Sequence, residues 1–90
     1  MSSGSYVLEI EAWNGMDAVM RITNMARRAK LAFNEMRVVF NGERLIHVEL
    51  RVEGEEFEAR WLAAKLDRMP EVYSVTMRRE EDILEEKLVA

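Results

Sequence analysis

From Tyr6 to Trp13 apolar and polar positions alternate, with Tyr6, Leu8, Ile10 and Ala12 on one side and Val7, Glu9, Glu11 and Trp13 on the other. A period of two predicts a half-buried strand. Asn14-Gly15 breaks it, and Asp17 then suits the first turn of a helix. Ala18, Val19, Ile22, Met25, Ala26 and Ala29 recur at helical spacing, predicting a helix of about 14 residues with Arg27, Arg28 and Lys30 near its C-terminal end. A second strand is predicted from Ala32 to Phe40, with Met36, Val38 and Phe40 on one face. Asn41-Gly42 follows, the pair that tolerates the positive φ of a tight hairpin. Arg44 to Glu53 alternates again, Ile46, Val48, Leu50 and Val52 inward and Leu45, His47, Glu49 and Arg51 outward.

A second helix is predicted from Glu55 to Arg68, acidic at its start and basic at its end, with Ala59, Leu62, Ala63 and Leu66 as its apolar stripe. Phe57, Trp61 and Ala64 form a second row beside that stripe. Pro70 stops the helix, and Glu71 to Arg78 reads as a fourth strand with Tyr73, Val75 and Met77 on one side. Residues 1–5 read as a flexible lead-in. Residues 80–90 read as a charged tail with Ile83, Leu84 and Leu88 at helical spacing, hence a short terminal helix. The order β-α-β-β-α-β, two right-handed crossovers sharing a hairpin, implies an α+β fold. It is the ferredoxin-like sandwich: a four-stranded antiparallel sheet with two helices on one face.

Ninety residues, 49% hydrophobic and 33% charged, fit one globular domain with a modest core. Such a domain gains from dimerisation. With 13 Lys+Arg against 17 Asp+Glu, the basic excess of a non-specific nucleic-acid binder is missing, and no nucleic-acid partner is expected. The chain has no cysteine, which excludes disulfides, thiolate metal sites and cysteine nucleophiles. Apolar runs are too short to span a bilayer, so no membrane partner is expected. The opening Met1-Ser2-Ser3-Gly4-Ser5 lacks the features of a secretory leader, and a cytoplasmic protein is expected.

Several chemistries sharing this element order are absent. The first strand–helix loop holds neither the cysteine pair of a copper chaperone nor the phosphate-cradling arginine of an acylphosphatase. The outward residues of the central strands carry Glu9, Glu11 and Glu49, which would repel a phosphate backbone, instead of base-stacking aromatics. His47 is the single histidine, with no nucleophile beside it, and Glu80-Glu81-Asp82 reads as a solvated run. No catalytic residue, cofactor or metal is therefore expected. Val7, Trp13, Leu45, Phe57 and Trp61 lie outside the main core stripes and are the candidate interface residues.

Four segments carry a resemblance to a known family. They are Asn14-Gly15 closing the first strand, Ala26-Arg27-Arg28-Ala29 ending the first helix, the Asn41-Gly42 hairpin, and the closing run from Leu66 to Val75. Over about Tyr6 to Arg79 the chain resembles an ACT domain, in particular the small regulatory subunit of acetohydroxyacid (acetolactate) synthase. The resemblance implies a non-catalytic regulatory module, a homodimer with a large catalytic subunit as partner, and a place in branched-chain amino-acid synthesis. It also implies a small amino-acid effector, bound by Asn14, Gly15 and Met16 with Asn34 and Met36 of the partner chain. The loop Trp13-Asn14-Gly15-Met16-Asp17 is short and bulky and lacks a proline, which shifts the expectation from ligand binding toward subunit contact. A free-standing amino-acid sensor, or a small enzyme of the same fold, are the alternatives.

Overall fold

In the computed structural model, which describes residues 3–82, the elements follow the expected order. They are β1 (Ser3–Ala12), α1 (Gly15–Ala26), β2 (Ala32–Asn41), β3 (Leu45–Glu55), α2 (Glu56–Asp67) and β4 (Val72–Arg79). The strands form one antiparallel sheet in the order β2-β3-β1-β4. The fold is the expected ferredoxin-like sandwich. Glu80–Asp82 is helical, as expected for the start of the tail, while the expected apolar positions Ile83, Leu84 and Leu88 lie outside the described residues.

The core follows from the two alternations. Tyr6, Leu8, Ile10 and Ala12 of β1 lie opposite Val52, Leu50, Val48 and Ile46 of β3, and all eight are buried. Ala18 and Ile22 of α1 and Ala59, Leu62 and Leu66 of α2 close over them. At about 25 cal/mol per Å² of apolar surface removed from water, these side chains are the main source of stability.

Four details depart from the sequence-based expectation. β1 begins at Ser3, inside the stretch read as a lead-in, because β3 extends to Glu55 and offers it a ladder partner (Ser3↔Glu55, Gly4↔Gly54). Helix α1 ends at Ala26. Arg27, Arg28 and Lys30 therefore lie beyond its last turn, in a connection whose Lys30 amide donates to Glu58 of α2 (3.1 Å). The hairpin turn spans Gly42–Arg44, with Asn41 still paired to Leu45 and only Gly42 at positive φ (82°). It is thus a three-residue loop, where an Asn-Gly turn was expected. Finally, a register shift at Glu11/Ala12 pairs Ala12 with Val72. That extra residue buries Val72 and turns Tyr73 out to solvent, so Tyr73 does not share the face of Val75 and Met77.

Candidate ligand loop and pairing edge

The loop between β1 and α1 is held from two sides. The Trp13 amide donates to the Glu71 carbonyl (2.8 Å) and the Gly15 amide to the Arg44 carbonyl (3.0 Å). The turn before β4 and the β2–β3 hairpin therefore both clamp it. Asn14, the N-cap of α1, is left-handed (φ 75°, ψ 21°) and exposed, and its side chain caps nothing. Gly15 is buried at φ 49°, with a Cβ there 3.2 Å from the Glu43 carbonyl oxygen. Two consecutive left-handed residues explain the Asn-Gly pair, since Asn and Gly adopt that region at least cost. Arg21 of α1 pairs with Glu71 (2.9 Å), tying the helix to the same turn. Glu71 is 8% exposed.

Asn14, Gly15 and Met16 are consecutive at the N-terminus of α1, but the Gly15 amide already donates to the Arg44 carbonyl. Of the other two expected ligand residues, Asn34 sits at a register shift between Phe33 and Glu35. Its amide donates to Glu53 within the same chain (2.6 Å). The Met36 sulfur instead lies toward α1, 3.9 Å from the Thr23 hydroxyl.

An exposed apolar strip lies beside this loop. Phe33, Met36, Val38 and Phe40 lie opposite the buried Val52, Leu50, Val48 and Ile46 of β3, so they share the helix-covered face. Yet α1 stops short of the sheet edge. Phe33, Met36 and Phe40 remain 41%, 41% and 48% exposed, and Met16 and Met20 of α1 60% and 57%. Met16, Met20 and Thr23 fall on one helix face, facing that strand. Ten residues of edge strand with an apolar flank form a template for another strand.

The expected interface residues are scattered. Trp13 and Phe57 are well exposed, and Trp13 meets Tyr73 with ring centroids 5.7 Å apart. Leu45 is half-buried. Trp61 packs against the core, with the Lys65 ammonium 5.8 Å from its ring centroid. Val7 corrects the expectation: it is 2% exposed. Its cross-strand neighbours Arg51 and Arg78 flank it with long aliphatic stems, and Arg51 reaches Glu80 (2.6 Å) beyond it.

The open sheet face carries ion pairs that sequence reading left as solvated charges. Arg51 bonds Glu49 (3.0 Å) and Glu35 (3.3 Å) besides Glu80. The Arg37 guanidinium holds the Glu35 carboxyl below its ordinary pKa through a hydrogen bond and its charge, and the hydrogen bond to Glu80 leads the causes that raise Arg51. His47 hydrogen-bonds Glu11 through Nδ1, and its Nε2 lies 3.5 Å from Glu9. Among the described residues no group of His, Asp and Glu side chains is arranged to hold a metal ion. Nor is any described helix long and apolar enough to cross a membrane.

The ACT-domain family model matches residues 14–75, more than half of the chain. The chain belongs to the ACT-domain family. ACT domains are regulatory, non-catalytic modules. No curated protein sequence matches the chain. Among solved structures, it superimposes on the ACT domain of GTP pyrophosphokinase from Chlorobium tepidum with a TM-score of 0.76 at 12% identity, covering 86% of this chain and 100% of that one. The C-terminal domain of the MgtC protein from Mycobacterium tuberculosis gives a TM-score of 0.67 at 16% identity, covering 86% of this chain and 87% of that one. A homoserine dehydrogenase from Thiobacillus denitrificans gives 0.68 at 18% identity, covering 86% of this chain and 17% of that one. At these identities the likeness is one of fold.

Proposed function

We propose that this ACT domain is a regulatory subunit that pairs with a second copy of itself through β2 and modulates a larger enzyme of amino-acid biosynthesis. Acetolactate synthase is the first candidate, on the resemblance of the Asn14-Gly15, Ala26–Ala29 and Leu66–Val75 segments to its small subunit. The observation that carries the reading is the uncovered strip of Phe33, Met36, Phe40, Met16 and Met20 along an unpaired edge strand. A monomer leaves this surface in water, whereas strand pairing satisfies the edge amides and carbonyls and covers the apolar flank together. The exposed Tyr73 lies on β4, at the opposite edge of the sheet from β2, leaving a separate surface for the catalytic partner.

The test is direct. Purified chain added to an acetolactate synthase large subunit should change its activity and co-elute with it. No complex and no change in activity would defeat this assignment.

A second reading, a free-standing amino-acid sensor, is favoured by the exposed Asn14 side chain at the N-terminus of α1, which caps nothing. Helix N-termini favour carboxylates. Against it, the Gly15 amide and the Asn34 side-chain amide already have partners within the chain. Calorimetric titration with the proteinogenic amino acids decides it, and no heat across the panel removes it.

A further inference from the structure

We infer that Met16, Met20 and Met36 form an oxidation-sensitive site whose conversion to sulfoxides by hydrogen peroxide keeps the chains from pairing. This rests on the β2-pairing reading above. Met16 and Met20 lie one turn apart on α1, and Met36 approaches the same helix face from β2, its sulfur 3.9 Å from Thr23 Oγ1. All three lie within the exposed apolar strip. Met25, Met69 and Met77 pack against the core instead. With no cysteine in the chain, thioethers are the sulfur that a peroxide meets.

The chemistry needs only the oxidant. A thioether lone pair attacks one peroxide oxygen, an S–O bond forms, and the O–O bond breaks. Sulfur loses two electrons and the peroxide gains them. The proton of the transferred hydroxyl ends on the departing hydroxide, which leaves as water. A flexible apolar side chain becomes a polar one, and methionine-rich contact surfaces depend on its apolar character. Pairing covers the three sulfurs, so oxidation acts on dissociated chains and keeps them apart.

Full-length chain is treated with hydrogen peroxide, the modified methionines are mapped by peptide mass, and pairing is followed by sedimentation over a range of concentrations. The unmodified chain is expected to dimerise. Oxidation should fall first on Met16, Met20 and Met36 and weaken pairing at least roughly tenfold, with methionine sulfoxide reductase restoring it. A variant with Met16→Leu, Met20→Leu and Met36→Leu keeps the volume and should pair whether or not peroxide is added, its fold checked by circular dichroism. Met20→Gln, a polar mimic, should weaken pairing without peroxide. If the unmodified chain stays monomeric throughout, the pairing reading fails and takes this one with it. If it pairs and the oxidised chain pairs equally well, only the oxidation proposal is overturned. Peroxide sensitivity retained by the triple leucine variant would overturn it too.

Discussion

The two edges of the sheet are built differently. β4 is eight residues long, presents Ser74, Thr76 and Arg78 to the open side, and packs on α2. Arg79 is tied to Glu56 of that helix (2.8 Å), and the chain then turns into a helical segment at Glu80. Short length, charge and a covering helix are the ordinary means of closing an edge. β2 has few of them: it is longer, it carries Phe33, Met36, Val39 and Phe40 exposed, and α1 leaves its flank open. One edge is finished within the chain, and the other is left open.

Cutting into the covered side should cost most. Leu62→Ala on α2, a fully buried site, is expected to lower unfolding free energy by about 3 kcal/mol, measured by urea denaturation. Phe40→Ala, on the open edge, should cost the isolated chain less than about 1 kcal/mol because little buried contact is lost. A comparable loss at Phe40 would mean that β2 is closed within the monomer.

Charge placed on each edge sharpens the contrast. Phe40→Lys is expected to weaken self-association roughly 100-fold, on the scale of a central interface residue, as read by sedimentation equilibrium. Tyr73→Lys on β4 should leave association unchanged. Equal effects would erase the distinction between the edges.

Acid gives the smallest effect. Hydrogen bonding to Arg60, with the charges of Arg60 and Arg79, holds the Glu56 carboxyl below its ordinary pKa. A depressed folded-state pKa adds stability above the unfolded value that is lost as pH falls through the folded one. Thermal stability should therefore be flat near neutrality and fall below the usual carboxylate range. Glu56→Gln should show a slightly shallower acid slope. Because the group is at the surface the difference is small, and an identical slope would show that this tie does not hold the β4 edge.

The contrast explains what could be read from the chain beforehand. The inward rows of β1 and β3 were legible residue by residue, since alternation records which side chains pack under the helices. The apolar face of β2 reads the same whether a helix covers it or not, because reach of α1 over the edge is a tertiary fact. Val7 looked exposed for a similar reason: the stems of Arg51 and Arg78 that flank it arrive from other strands. Tyr73 was misplaced by a register shift, which depends on the partner strand. At the candidate loop, Asn14-Gly15 was visible as a break, but the carbonyls of Glu71 and Arg44 that hold it come from turns far along the chain.

The central claim is that β2 is the edge where two copies meet. Hydrogen exchange of the backbone amides, followed as chain concentration rises, tests it most directly. The account predicts that amides of β2 become protected with increasing concentration while those of β4 do not change. Concentration-independent exchange along β2, or protection appearing at β4 instead, would contradict it.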